Sequence, residues 1–239
     1  MIVTGAASGI GRAAALSIAS QGGRVTAMDV DDASGAELSN HAERMNLDLS
    51  YVHADVSSEP EVRDAVARTA AAFGGVDVLI HAAGVMAGQL TDLRELNEET
   101  WDRVIDINLK GAFFMTKHVA DVMVPTRAGV LILVASKAGV VIGSGSYSYG
   151  ASKGGVHGLA LTLDRHLGPL GIRVNDVCPE DVDTPLLRGS LAEAVAHGAD
   201  RHAVRLRLER LSSPETVAEI LAFLASDAAS GVRGTVFTC

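Results

Sequence analysis

The chain has 239 residues and a formal net charge of -9, with 48% hydrophobic but only 4% aromatic side chains. That supplies one large α/β core, and the acidic balance argues against the basic face that nucleic-acid binding requires. Two cysteines, Cys178 and Cys239, cannot make a disulfide framework, no basic-then-apolar leader opens the chain, and no apolar run approaches the roughly 18 residues of a membrane span. The expectation is therefore a cytoplasmic protein with no nucleic-acid and no membrane partner. The histidines show no paired metal-ligand spacing; His197 and His202, five apart, would not share a helical face, and no metal site is expected.

Met1-Ile2-Val3 is a short strand followed at once by Thr4-Gly5-Ala6-Ala7-Ser8-Gly9-Ile10-Gly11 and a helix-forming stretch from Arg12 to Ser20. Strand, glycine-rich turn and helix form a pyrophosphate cradle, because glycines let the backbone approach and the helix start presents N–H groups. The spacing Gly-x-x-x-Gly-x-Gly differs from the common Gly-x-Gly-x-x-Gly fingerprint, so the turn alone is weak evidence. The next strand, Arg24 to Val30, carries Asp29 near its end, about 20 residues after the turn as a ribose-binding carboxylate requires. Asp29 would accept hydrogen bonds from the ribose hydroxyls and repel a 2'-phosphate, which favours NAD over NADP. Asp31 and Asp32 read as caps for a helix over Ala33 to Arg44.

Leu49 to Ala54 predicts a third strand leading to Asp55-Val56, and Ser58-Glu59-Pro60-Glu61 has the pattern of a capping box. Asp55 meets an adenine edge or serves as a turn residue; spacing does not choose. Val76 to Ile80 predicts a buried strand ending in His81-Ala82-Ala83-Gly84, whose small residues bring backbone close to a ligand. A long helix is expected from about Thr100 to Val124, with Asn108 on its apolar stripe, either as an anchor or as part of a hydrogen-bond relay.

Val130 to Val134 is a β-branched run that delivers Ser136 to a crevice at the end of a parallel sheet. The helix expected over Tyr149 to Leu167 places Tyr149 and Lys153 on one face, one turn apart. A tyrosine of ordinary pKa about 10 is a poor base, and a neighbouring cation brings its phenolate within reach. Ile172 to Pro179 predicts a sixth strand. Thr184 to Arg210 contains no strand and reads as a mobile cover over a pocket, with Arg201, Arg205, Arg207 and Arg210 on the outer face of a helix. Ser213-Pro214-Glu215 opens the last helix, and Gly234 to Thr238 is a final strand. Alternation throughout predicts a single α/β domain over 1–239, a doubly wound parallel sheet with helices on both faces.

The ordered set Thr4-Gly-x-x-x-Gly-x-Gly11, Asp29, Asp55, Ala83-Gly84, Asn108, Ser136 and Tyr149-x-x-x-Lys153 resembles the short-chain dehydrogenase/reductase family over essentially the whole chain. The resemblance implies a Rossmann-like fold and hydride transfer between a nicotinamide and the carbon of a secondary alcohol or ketone. It implies Tyr149 as acid/base, Lys153 as the group that lowers its pKa and binds ribose, Ser136 as the residue orienting the substrate oxygen, and Asn108 as the holder of a relay water. Cofactor contacts are implied for Gly5, Ser8, Gly9, Ile10, Gly11, Asp29, Asp55, Val56, Ala83, Gly84, Tyr149, Lys153, Pro179, Val182 and Thr184. A homo-oligomer, tetramer or dimer, built on the two long helices is also implied.

Four features depart from the family pattern. His81-Ala82-Ala83-Gly84 replaces Asn-Asn-Ala-Gly, Pro179-Glu180 replaces Pro-Gly, and the chain starts late and stops at Cys239 without an Asp-Gly-Gly tail. A side chain at 180 would clash if the backbone there needs a positive φ or a close approach to the nicotinamide ring, which leaves open a catalytically idle NAD-binding or scaffold protein. If Glu180 fits, its carboxylate favours an oxidised, cationic nicotinamide. Val85, Met86, Val140, Val141, Ile142, Leu186 and Leu187 are expected to form an apolar pocket for a hydrophobic secondary alcohol or its ketone.

Overall fold

The computed structural model describes residues 1–238. Seven parallel strands lie in the order β3-β2-β1-β4-β5-β6-β7: β1 (Ile2–Thr4), β2 (Val25–Asp29), β3 (Leu49–His53), β4 (Val78–His81), β5 (Gly129–Val134), β6 (Ile172–Cys178) and β7 (Gly234–Phe237). The order reverses between β1 and β4, where the crossovers leave in opposite directions and open a crevice at the strands' carboxyl ends. Register brings those ends level, with Thr4 opposite Met28 and His81, and His81 opposite Leu133.

Alternate strand residues feed two cores, as a sheet covered on both faces requires. Ile2, Leu131 and Leu133 face one helix layer with Val62, Met115 and Val156. Val3, Ile132 and Val134 face the other, with Ile18, Leu38 and Leu221. The helices behind these contacts are α1 (Gly9–Ser20), α2 (Asp32–Arg44), α3 (Glu59–Phe73), α4 (Glu98–Ile105), α5 (Gly111–Met123), α6 (Tyr147–Leu167), α7 (Pro185–Ala196), α8 (Arg201–Leu208) and α9 (Pro214–Ala225). Among the described residues no helix is long and apolar enough to cross a membrane.

Three local expectations are corrected. The long helix expected from Thr100 to Val124 is α4 and α5 joined by a π turn, Asp106–Lys110, which contains Asn108; such wider turns collect at functional positions. The capping box at Ser58 does not close: Ser58 makes no side-chain cap bond, and Glu61 Oε2 accepts instead from the Asp55 N–H at 3.0 Å. The segment 184–210, expected as a loose cover, folds into α7 and α8, with the Thr184 hydroxyl capping α7 by accepting from the Leu187 N–H. Asp31 caps α2, accepting from Ser34, and Ser213 caps α9, accepting from Thr216, as the sequence predicts.

Candidate active site

A cleft of about 380 Å³ opens over the carboxyl ends of β1, β2, β4, β5 and β6. One end of it is almost pure backbone. Gly5 has φ +64, and a Cβ there would lie 2.7 Å from the Ala83 nitrogen, so only glycine lets the turn after β1 pass this close to the turn after β4. Ser8 precedes α1 without capping it. The first N–H groups of a twelve-residue helix are thus not taken by a side-chain cap, as a phosphate group needs.

Asp29, at the end of β2, accepts from the Ala7 N–H at 2.9 Å through Oδ2, and from the Val30 and Asp31 N–H groups at 2.7 and 3.2 Å through Oδ1. The same carboxylate therefore faces the cleft and ties the glycine turn to the second strand. Gly5, Ser8, Gly9, Ile10, Gly11, Val56, Ala83, Gly84, Pro179, Val182 and Thr184 also line the cleft. Asp55 does not. Its Oδ1 accepts from the Ser57 N–H and hydroxyl at 2.8 and 2.7 Å, so Asp55 is the turn residue, while its neighbours Ala54 and Val56 form the wall. The glycine-rich end, with its uncapped helix start and its carboxylate, fits a nicotinamide dinucleotide.

Ser136, Tyr149 and Lys153 meet at the other end. Ser136 stands just past β5, its hydroxyl accepting from the Ala138 N–H at 3.1 Å. The Tyr149 phenol faces Ser136 on the cleft wall. Burial pushes that phenol up to about 12, the Ser136 hydroxyl opposes the rise, and the Asp181 carboxylate adds to it.

The expectation that Lys153 holds the phenol down is not met in this arrangement. The Lys153 ammonium donates to the Val134 carbonyl at 2.7 Å and stands 5.8 Å from the centre of the Tyr149 ring. Burial brings Lys153 itself down to about 8.

Asn108 sits beneath the cleft, fully buried. Its Oδ1 accepts from the Val85 N–H at 2.8 Å, and its Nδ2 donates to the Val85 carbonyl and to the Ser152 hydroxyl, both at 2.9 Å. Ser152 in turn donates to the Tyr149 carbonyl at 2.8 Å. Both Asn108 N–H donors are thereby spent on protein. The side chain is an anchor joining the loop after β4 to α6.

At the departures from the family pattern the chain finds its own solutions. Thr4 Oγ1 accepts from the Ala83 N–H and pairs with His81 Nδ1 at 2.9 Å. Burial, with Lys153 nearby, lowers the imidazole's pKa to about 3 and keeps it neutral. Glu180 is not in the left-handed region, so its backbone carries no strain from the side chain, and it lines the cleft with Oε2 paired to Lys137 Nζ at 2.7 Å. Arg207, placed by the sequence on an outer helix face, turns inward to form a two-pronged pair with Asp181 and lines the cleft.

Of the expected apolar pocket, Val85, Met86, Ile142, Leu186 and Leu187 are present. Val140 instead packs on the core, and Val141 faces solvent. Gln89, Lys137, Asp181, Ser190 and Arg207 complete the wall without having been expected there. Each is an isolated polar residue in a loop or on a mixed helix, where no periodicity marks it.

Comparison with known proteins agrees with this geometry. The family model described as enoyl-(acyl carrier protein) reductase matches residues 5–239. A 3-oxoacyl-[acyl-carrier-protein] reductase of Thermotoga maritima is 36% identical over 236 residues, covering 98% of this chain and 93% of that protein. The chain belongs to the short-chain dehydrogenase/reductase family. Another family relative, the cis-4-hydroxycyclohexanecarboxylate dehydrogenase of Sinomonas cyclohexanicum, is 41% identical over 239 residues, covering 98% of this chain and 92% of that one. Among solved family structures, levodione reductase superposes with a TM-score of 0.92 at 27% identity, covering 99% of this chain and 94% of that one. An actinorhodin polyketide ketoreductase variant with NADPH gives 0.92 at 31% identity, covering 100% and 94%. The relatives named are oxidoreductases, and this chain is an oxidoreductase of the same family.

Proposed function

We propose that the protein transfers a hydride between NAD and the carbon of a secondary alcohol or ketone, with Tyr149 as acid/base. The observation that carries this reading is the placement of Tyr149, Ser136 and Lys153 together on the wall of a cleft whose far end holds Asp29. When bound, the dinucleotide accepts or supplies the hydride. Ser136 orients the substrate oxygen. Tyr149 gives that oxygen a proton during reduction and removes one during oxidation. Lys153 holds the Val134 end of β5 one helical turn from Tyr149 and would bind the nicotinamide ribose. Asn108 keeps the loop at Val85 and the helix carrying Tyr149 in fixed relation.

NAD is preferred over NADP in this reading because Asp29 presents a carboxylate where a 2'-phosphate would sit, and the lysines and arginine on the cleft wall, Lys137, Lys153 and Arg207, belong to its other end. The substrate is a hydrophobic secondary alcohol, in keeping with Met86, Ile142, Leu186 and Leu187 on the wall and with the ring alcohol in the name of the Sinomonas relative. Self-association belongs to the same proposal: Phe113 on α5 and Leu161 on α6 are exposed apolar side chains on the two helices the family pairs. The idle-scaffold alternative rested on a strained backbone or a clash at Glu180, and the backbone at 180 is unstrained.

Calorimetric titration tests the cofactor assignment. NADH is expected to bind at least about tenfold more tightly than NADPH, a difference of about 1.4 kcal/mol, and Asp29→Ala should remove most of that gap. Equal affinities in the parent would overturn the preference for NAD.

A further inference from the structure

The substrate end contains a buried polar side chain that the reaction does not employ. Gln89 lies in the segment between β4 and α4, lines the cleft, and is only 8% exposed. Its amide has no hydrogen-bond partner among the described residues, with Oε1 buried and unpaired. Nε2 lies against Gly145, where a Cβ would come within 2.4 Å of it. A buried amide left unmatched is costly, so the surrounding structure must hold it in place.

That structure converges on Gln89 from three elements. The Leu90 N–H donates to the Gly145 carbonyl at 2.8 Å, and the Ser146 hydroxyl donates to the Ala87 carbonyl at 2.6 Å. From α7, Glu193 Oε1 accepts from the Gly88 N–H at 3.0 Å, while His197 Nδ1 meets the Gln89 carbonyl at 2.6 Å and must donate to it. Leu90 is driven to φ +57, a strained conformation for leucine of the kind found at ligand sites. Ser146 Oγ also accepts from the Tyr149 N–H, so the strap that aims Gln89 is fastened to the first turn of the helix bearing Tyr149.

We infer that Gln89 is a specificity-determining residue whose amide hydrogen-bonds a second oxygen of the substrate. The substrate class is then an alicyclic diol or hydroxyketone. An uncharged oxygen fits better than a carboxylate, because the cations on this wall, Lys137 and Arg207, are paired with Glu180 and Asp181. Met86, Ile142, Leu186 and Leu187 on the wall of the same cleft offer apolar surface. A substrate lacking the second oxygen leaves the amide unmatched, and a site of that kind discriminates strongly.

The inference rests on the proposed secondary-alcohol function, and one panel separates the two. kcat/KM with NAD is measured for cyclohexanol and the isomeric cyclohexanediols in the parent, in Gln89→Met, and in Gly145→Ala, whose added methyl displaces the amide while leaving it present. At least one diol should exceed cyclohexanol by about tenfold or more in the parent, and that ratio should fall about tenfold in both variants. If Gln89→Met does not fold, Gly145→Ala reads the same ratio. Cyclohexanol turnover with no diol preferred in the parent, or a preference that survives Gln89→Met, would overturn the role of Gln89. Turnover of none of these alcohols would bring down the proposed NAD-dependent secondary-alcohol function and the inference with it.

Discussion

The two ends of the cleft are made of different materials. At the Asp29 end the wall is main chain and small residues, set by strand register and by glycines that allow two turns to touch. At the Tyr149 end it is long side chains from loops and outer helices, held by ion pairs and hydrogen bonds such as Lys137 with Glu180 and Arg207 with Asp181. A backbone wall has one shape because the sheet beneath it has one register. A side-chain wall can be rewritten residue by residue without disturbing the strands, which suits one end to an invariant cofactor and the other to a varied substrate.

Substitutions at the two ends should therefore differ in kind. The largest effect is expected at the reacting group itself. Tyr149→Phe removes the proton that the reaction moves and should lower kcat by about 10²- to 10⁴-fold, with NADH affinity by calorimetry changed by no more than a few-fold. The parent's alcohol oxidation should speed up as pH rises over roughly 6 to 10, because the phenol is pushed up to about 12 and its base form grows throughout that range. Ketone reduction, which uses the protonated phenol, should show no such rise. A variant that keeps the oxidative slope would place the acid/base elsewhere.

Next comes the backbone end. Gly5→Ala asks for a methyl 2.7 Å from the Ala83 nitrogen in a left-handed conformation. It should cost about 1–3 kcal/mol of stability, read by denaturant melting, and weaken NADH binding with it. If stability and binding are unchanged, the two turns do not touch as described.

The smallest effect belongs to the side-chain end. Glu180→Gly removes the exposed partner of Lys137, a pair of a type worth about 0–1 kcal/mol. Stability should move within that range, and kcat/KM within a few-fold. A loss as large as that at Gly5 would erase the contrast between the two walls.

The same contrast explains what could be read from the chain alone. Sheet order and helix layers follow from β-branched runs alternating with amphipathic stretches, and Tyr149, Lys153, Ser136 and Asp29 stand out because their spacing is fixed by those elements. Arg207 was hidden because an arginine among leucines reads as a solvated face; only the tertiary position of Asp181 turns it inward. Gln89 was hidden because a single glutamine in a glycine-flanked loop has no period. At Asp55 and Ser58 the local pattern was present but outcompeted: Asp55 satisfies Ser57, and Glu61 reaches past the expected cap to the Asp55 N–H.

The π turn at Asp106–Lys110 was equally invisible, since a widened turn preserves the apolar character of its stripe. It makes the joined rod of α4 and α5 a phase-sensitive object. Before the turn the rod packs against α6; beyond it, against α3. One residue corresponds to about 100° of rotation in a regular helix. Deleting any single residue from 106–110 would therefore leave a perfectly good helix by propensity while swinging every side chain of α5 about a quarter-turn away from its neighbour. Point changes along this rod can be absorbed one at a time, but a change in its length cannot, so substitution should be tolerated here far more readily than any insertion or deletion.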